Sequence, residues 1–481
     1  MLALDRRKND FLYQQVIDLI KMEIDSGALT PGDRLPSLRR LAGNLDVSIP
    51  TVKQAYEELE RLGQVESRPQ SGFYVLARVR NGLVRPPESA PNGPVEVSCR
   101  ELVEQVYEGM HQPGVIPLGI ANPSFARPTA KALHRTMKRV MARAEQRSVG
   151  YAPVRGEPGL QRQIAFRYLD LGGAVRPQDI TITNGCQEAL ALALQAVARR
   201  GDVIAVESPT YSGTLELIES LGMLALEIET CPTKGLCLDA LETALGRQSV
   251  RACVFSSCLN NPLGSATSDG HRQALVELVE SFNVPLIEDD VYGDLLFDGR
   301  RHKPAQFFSS KGLVLTAGSF SKTAAPGYRI GWLMPGRFSD QVFKLKRAIS
   351  YSSGLLQQLT LAEFMGSGEY DRHLKKLRPV LKLNCERMTA LVAESFPAET
   401  RISQPAGGSV LWLEMDPGFD SGEYFHRALA EGISVAPGAI FSPGNRFRHF
   451  LRLSFGHPWG EPLENAIQTL GALAKGNAGR G

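Results

Sequence analysis

The stretch 318-GSFSKTAAPGYRIGW-332 sets one lysine, Lys322, behind a Ser-Phe-Ser run and seven residues before Arg329. The residues after the lysine are small, apolar and turn-forming. An ammonium pressed into such surroundings loses hydration, which disfavours its charged form and lowers its pKa. A lysine kept partly neutral is the nucleophile that Schiff-base chemistry needs. A loop lysine between two strands is the plainer reading of the same residues, so the flanking sequence has to decide.

Short β-like runs alternate with helical stretches around it: 180-ITIT, 203-VIAV, 224-LALEI, 252-ACVF, 284-VPLIE, 313-LVLT and 330-IGWLM. Alternation of this kind predicts a mostly parallel sheet covered on both faces, an α/β fold. Ligands in such sheets lie beyond the carboxyl ends of the strands, and polar motifs stand at those ends repeatedly. After 180-ITIT, Gly185 permits a tight turn, and the backbone N–H groups of Gly185, Cys186 and Gln187 form an anion site at a helix start. After 203-VIAV comes Tyr211, an aromatic able to stack on a flat ring. After 252-ACVF comes Asn261, fixed in a turn by Pro262. After 284-VPLIE come Glu288, Asp289 and Asp290, three carboxylates that are costly unless something positive meets them. A strand period of two turns Asp289 away from the other two, and a lone Asp289 suits a protonated heterocyclic nitrogen better than a metal. Taken singly, each motif also reads as an ordinary turn or packed side chain.

One rival is set aside. Ser319-Phe320-Ser321-Lys322 matches the S-x-x-K nucleophile motif of penicillin-recognising serine enzymes, which also need S-D-N and K-T-G. This chain offers Ser268-Asp269-Gly270 and Lys322-Thr323-Ala324 instead, and a cell-wall enzyme would need a signal peptide.

Together the motifs describe a cofactor with a phosphate, a flat ring, a phenolic oxygen, a basic ring nitrogen and an aldehyde: pyridoxal 5′-phosphate. Residues 98–481 resemble the fold-type-I aminotransferases along their whole length, and a smaller C-terminal subdomain is implied. By that resemblance Lys322 is the Schiff-base lysine, Asp289 holds the pyridine nitrogen protonated, and Tyr292 and Asn261 bond the phenolic oxygen. Tyr211 stacks on the ring, while Gly185, Cys186, Gln187, Ser319, Ser321 and Arg329 hold the phosphate. Tyr151, in 150-GYAPVRG-156, reaches the phosphate from the other subunit of a dimer. Cys186 stands where Ser or Ala is more usual, so only its backbone role carries over. In 450-FLRLSFG-456, Arg452 lies in an alternating strand with apolar inward neighbours. A buried arginine needs an anion; a structural ion pair would serve, and the resemblance assigns the substrate carboxylate.

The N-terminal part reads differently. Phe11, Leu12, Val16, Leu19 and Ile20 give a helix over 11–26. In 29-LTPGDRLPSLRRLAGNLDVSIPTVKQAYEELERLG-63, Ser37 and Ser48 can cap two helices, Val52, Ala55, Leu59 and Leu62 share one face, and Gly63 can end the second helix. Residues 64–77 alternate around a Pro-Gln-Ser-Gly turn, as in a hairpin. Two helices and a hairpin make a winged helix-turn-helix. Residues 1–77 hold 10 Lys and Arg against 11 Asp and Glu, which lends weight to the plainer reading, an ordinary helical hairpin with a β-ribbon. However, Arg34, Arg39, Arg40, Lys53 and Arg68 cluster where phosphates are expected, and Glu57, Glu58 and Glu60 lie later in the second helix. The segment resembles the GntR family through PGDRLPSLRRLA, the helix DVSIPTVKQAYEELERLG and the wing RPQSGFYV. Thr51 and Lys53 are the expected contacts of the recognition helix. Ile49 stands where that family often has a basic residue, so base preference does not carry over.

Residues 78–97, RVRNGLVRPPESAPNGPVEV, read as a linker between 1–77 and 98–481. Half extended, it reaches roughly 60 Å at about 3.1 Å per residue. A GntR-like winged helix joined to an aminotransferase-like domain is the arrangement of the MocR regulators. That resemblance implies a homodimer, binding to double-stranded DNA and sensing of an amino acid or amine. The alternative is a working aminotransferase with an appended DNA-binding domain, since the catalytic set Lys322, Asp289 and Tyr292 is complete.

Composition agrees. The net charge of +3, with 43% hydrophobic and 22% charged residues, is that of an ordinary globular protein and gives no whole-chain pull on nucleic acid. The apolar run from Ala189 to Ala198 is far short of the roughly 20 residues that span a bilayer. With no signal core and seven cysteines lacking a C-x-x-C pair, a cytoplasmic location with reduced thiols is expected.

Overall fold

The computed structural model describes residues 12–25, 28–29, 32–61, 64–68, 72–75, 82–85, 93–97, 100–110, 112–123, 127–173, 175–256, 258–444 and 446–476. They form two compact units that divide at position 80.

The first unit holds α1 (Leu12–Asp25), α2 (Leu38–Leu45), α3 (Ile49–Arg61), β1 (Val65–Arg68) and β2 (Gly72–Val75). Both short helices start where their serines can cap them. Ser37 Oγ accepts the Arg40 N–H at 3.3 Å, and Ser48 Oγ accepts the Thr51 N–H at 3.3 Å. Pro50 sits in the first turn of α3, where no N–H is required. Val16, Ile17 and Ile20 of α1 pack with Val52, Ala55, Tyr56 and Leu59 of α3 over Val65 and Val75 of the hairpin. Buried Tyr56 satisfies its hydroxyl on the Pro36 carbonyl at 2.8 Å. β1 and β2 pair antiparallel, with Val65 opposite Val75. Leu62, Gly63 and the turn at 69–71 lie outside the described residues.

The second unit begins with α4 (Arg100–Met110), β3 (Ile116–Pro117), α5 (Arg127–Ser148) and α6 (Pro158–Leu169). There follow β4 (Thr181–Thr183), α7 (Cys186–Val197), β5 (Val203–Ser208), α8 (Ser212–Ser220), β6 (Leu224–Cys231), β7 (Gly235–Leu236), α9 (Leu238–Arg247) and β8 (Val250–Phe255). Next are α10 (Asp269–Ser281), β9 (Leu286–Asp289), β10 (Val314–Ser319), β11 (Gly331–Met334), α11 (Ser339–Ile349), α12 (Leu355–Gly366) and α13 (Glu369–Ser395). Last are β12 (Arg401–Ile402), β13 (Val410–Glu414), α14 (Ser421–Ala430), β14 (Ile433–Ser434), β15 (Ala436–Pro437), β16 (Phe450–Ser454) and α15 (Glu461–Lys475).

The main sheet runs in the order β4-β11-β10-β9-β8-β5-β6-β7. β10, β9, β8, β5 and β6 are parallel neighbours. β11 is antiparallel to both β10 and β4, and β7 closes the far edge antiparallel to β6. Its central strands are apolar runs because cores lie on both faces, one around α7 and one around α9 and α10. A second, antiparallel sheet, β12-β13-β16-β15, forms the C-terminal part.

Part of the stretch read as a linker is docked on this unit. Val95 exchanges both backbone hydrogen bonds with Ala225 (2.8 and 2.9 Å), Leu83 bridges Ile402, and Val84 and Val97 are buried in the core. Single bridge pairs have no period, which is why the sequence shows none.

Leu59 is fully buried in the small core of the first unit. Leu59→Ala should cost that unit roughly 2–5 kcal/mol. Amide exchange should speed up across α3 while exchange in β5 stays unchanged.

Candidate functional site

The ends of β4, β5, β9 and β10 converge on a cavity of about 430 Å³. Cys186, Gln187, Tyr211, Asn261, Asp289, Tyr292, Ser319, Ser321, Lys322, Arg329 and Arg452 all line it.

At one end is a cradle for an anion. Gly185 caps α7 with φ 81°, the left-handed region that suits glycine. A Cβ there would sit 2.5 Å from Arg329 Nη2. Gly331 is equally confined, since its Cβ would lie 2.9 Å from the Cys186 nitrogen. Arg329 itself adopts φ 51°, a conformation costing a non-glycine residue about 1–2 kcal/mol. Its guanidinium reaches Ser321 Oγ and the Asn184 carbonyl, each at 3.5 Å. Ser319 Oγ accepts the Ser321 N–H at 3.1 Å. The positive end of α7, two hydroxyls and a guanidinium thus share one corner. The Gln187 side chain donates to the Gly213 carbonyl at 2.7 Å, leaving its backbone N–H at the helix start.

The three acids after β9 separate as a period of two requires. Glu288 accepts the Ala305 N–H and the Thr316 hydroxyl, all at 2.9 Å, and Asp290 pairs with Arg301. Of the three, Asp289 lines the cavity. Its Oδ1 accepts the Val291 N–H at 3.2 Å and the Cys186 thiol at 3.4 Å. Burial pushes its carboxyl up to about 6 against these bonds.

Burial, with Arg452 next in weight, brings the Lys322 ammonium down to about 8. Lys322 Nζ donates to Asn122 Oδ1 and lies 6.0 Å from the centre of the Tyr292 ring. The Tyr292 hydroxyl donates to the Ala121 carbonyl at 3.2 Å. Arg452 is 6% exposed. Its Nη1 donates to Asn261 Oδ1 at 3.0 Å, its Nη2 to the Gly119 carbonyl, and its guanidinium faces Phe441 at 4.9 Å. Arg452 Nε has no hydrogen-bond partner among the described residues, an omission costing about 1–3 kcal/mol. Burial pushes the Tyr211 phenol well above its usual pKa, and Tyr211 hydrogen-bonds Tyr107 of α4.

Behind Lys322 the loop is braced. Asp294 accepts from Arg167 at 2.6 Å, Arg301 at 2.9 Å and the Tyr370 hydroxyl at 3.0 Å. Burial raises its carboxyl pKa, but Arg301 and Arg167 outweigh this and hold it well below the usual range. The Tyr370 hydroxyl lies 2.9 Å from Thr323 Oγ1. A carboxylate only accepts, so Tyr370 donates to Asp294 and Thr323 donates to Tyr370. His373 Nε2 donates to the Thr323 carbonyl at 2.8 Å. Further along α13, Asn384 Nδ2 donates to the carbonyls of Phe455 and His457 at 3.1 and 2.9 Å.

Tyr151 stands outside the cavity of its own chain: it is 88% exposed and edges against Tyr351 at 5.5 Å. Sequence reading missed Asn122 and Tyr107. The Asn-Pro pair at 122–123, like that at 261–262, was the available signal.

In the first unit Arg39 and Arg40 are exposed on α2. Thr51 Oγ1 lies 2.8 Å from Ser48 Oγ, and Lys53 pairs with Glu57 at 3.3 Å, an exposed contact worth about 0.3–0.5 kcal/mol. Arg34 bridges Tyr74 beside Gly72. The Arg68 side chain lies outside the described residues.

Residues 113–470 match the family model for aminotransferase class I and II, and residues 12–75 match that for bacterial regulatory proteins of the gntR family. The HTH-type transcriptional regulator YdcR of Escherichia coli is 36% identical over 465 residues, 96% of this chain and 98% of the other. YjiR of the same organism is 34% identical over 459 residues, covering 95% and 98%. LysN, the alpha-aminoadipate aminotransferase of Thermus thermophilus solved with N-(5′-phosphopyridoxyl)-L-leucine, superposes with a TM-score of 0.70 at 25% identity. That match covers 80% of this chain and all of LysN. The chain belongs to the aminotransferase class I and II family and carries a GntR-family region on the same polypeptide, the combination of MocR-type regulators. The aminotransferase fold family is pyridoxal-phosphate-dependent.

The depressed pKa of Lys322 is directly measurable. Its acetylation by trace acetic anhydride, followed by mass spectrometry, should rise with pH through a midpoint near 8 as the amine loses its proton. A midpoint at the ordinary 10.5 would mean the amine is solvated.

Proposed function

We propose that the protein is a DNA-binding transcriptional regulator whose larger unit holds pyridoxal 5′-phosphate and senses an amino acid or amine. One observation carries the reading. Lys322 and Arg452, two cations with depressed pKa values, open into one cavity with Asp289, on the same chain as a GntR-type helix pair.

The residues fit this cofactor. The start of α7 at Gly185, Cys186 and Gln187, with Ser319, Ser321 and Arg329, suits a phosphate dianion. Asp289 suits a protonated ring nitrogen, Tyr211 offers a ring face, and Asn261 and Tyr292 offer an amide and a hydroxyl to the phenolic oxygen. When bound, the cofactor supplies an aldehyde that condenses with amines and a ring that withdraws electrons. Lys322 brings the amine, and its lowered pKa keeps a neutral fraction available near pH 7. Arg452 has its Nε in reserve for an effector carboxylate, taken as a bidentate pair. A carboxylate there neutralises the charge that helps depress Lys322, so the lysine takes up a proton more readily once the ligand arrives. Thr323, Tyr370 and His373 connect that change to α13.

In the smaller unit Arg34, Arg39, Arg40, Thr51, Lys53 and Arg68 are the proposed DNA contacts. We assign 1–77 to DNA and 98–481 to the cofactor domain, with 78–97 joining them and packed on the larger unit through Val84, Val95 and Val97. The working form is a cytoplasmic homodimer in which Tyr151 serves the partner's phosphate site.

The DNA part is tested by replacing Arg39, Arg40 and Lys53 together with alanine. Promoter binding should weaken, and the salt dependence should flatten by about one unit of slope for each phosphate no longer neutralised. Unchanged binding across a salt series would refute the docking.

The sensor part is tested with Lys322→Ala. Its cofactor should lose the visible absorbance of the lysine adduct, and the ligand-dependent change in promoter binding should disappear while basal DNA binding remains. A normal ligand response in the variant would remove Lys322 from the switch. Steady turnover of amino donors by the wild type, with DNA binding indifferent to them, would make the protein a working aminotransferase.

A further inference from the structure

Resting on the DNA reading above, we infer that Ile49 reads a base, and that the operator carries a thymine whose methyl group packs against it. In a helix-turn-helix the base edges are met by the first residues of the second helix, here α3. Val52, Ala55 and Tyr56 of that helix are buried, and the exposed positions of its first two turns are Ile49, Pro50, Lys53 and Gln54. Ile49 and Lys53 are neighbours at i, i+4, as are Pro50 and Gln54. The exposed face is therefore apolar where the helix begins and polar one turn later.

Ile49 does nothing for the fold that accounts for its type. It is 44% exposed. Leu45 and Val47, just before it, pack against the buried cluster of this unit, whereas Ile49 is not among the described residues that do. The cap of α3 is made by Ser48, and a β-branched side chain is a weak helix former. The turn also carries no acid, although an acid there would favour the helix. Nothing in the first turn thus repels the phosphates on either side of a base pair.

The chemistry of Ile49 selects one base. In the major groove thymine presents a methyl group, while guanine, adenine and cytosine present hydrogen-bonding groups to the same approach. An isoleucine has no donor or acceptor, so against those groups it would displace water without replacing the lost bond. Against the thymine methyl both partners lose apolar surface to water.

The test starts from duplexes selected out of a random-sequence pool by the cofactor-loaded full chain. Each thymine of the selected sequence is replaced singly by deoxyuridine, which removes the methyl group alone. At least one replacement should weaken binding about fourfold, the effect of one buried methyl, and that loss should vanish in Ile49→Ala. Selection with Ile49→Arg should exchange the same base pair, with guanine taken by the two guanidinium donors. No loss from any deoxyuridine, or a loss that persists in full in Ile49→Ala, overturns the inference and leaves the DNA reading intact. So does an Ile49→Arg variant, verified as folded, that selects the wild-type sequence. Failure of the wild type to select any sequence overturns the DNA reading itself, and this inference with it.

Discussion

The larger unit depends on the cost of keeping charge away from water at the carboxyl edge of its sheet. Burial lowers the proton affinity of both Lys322 and Arg452, and the charge of Arg452 lowers that of Lys322 further. Neither arrangement helps the fold, since an isolated buried cation is among the most destabilising groups a protein can hold. Much of the surrounding structure offsets that cost. Asn122 takes the Lys322 proton donor, and Asn261 and Gly119 take two of the Arg452 donors. Arg452 Nε is left over, and a buried charge without full compensation is the mark of a site poised for a ligand.

The same balance explains the layout of the acids. Asp294 is given two arginines and a phenol and is fully ionised. Asp289, five residues earlier, has a backbone N–H and a thiol, and its pKa is pushed up instead. Two carboxylates of one loop thus have opposite electrostatics. The ion-paired one braces the loop behind Lys322, and the one without an arginine faces the cavity.

Much of this was legible because the signals are local. A strand buried on both faces must be apolar, so the β5, β8, β9 and β10 runs could be read directly. A period of two separated Asp289 from Glu288 and Asp290. A charge amid apolar neighbours marked Arg452 and Lys322. What escaped is non-local. Asn122 meets Lys322 from 200 residues away, and Tyr370 meets Thr323 from 47 away. No spacing rule connects such pairs. The docking of Val84, Val95 and Val97 was hidden for a different reason: isolated bridges leave a Pro- and Gly-rich composition undisturbed. In the smaller unit the capping serines announced the helices, whereas the Lys53–Glu57 pair shows that the charge count blurred a local arrangement.

One helix gives the larger unit a property that no single residue has. α13 grips the residue after Lys322 through Tyr370 and His373, and the strand exit after Arg452 through Asn384. Its 27 residues span roughly 40 Å at about 1.5 Å per residue. The two grips stand on either side of Pro379, which removes one backbone hydrogen bond and favours a bend there, so α13 joins the Lys322 end of the cavity to the Arg452 end through a point of flexure.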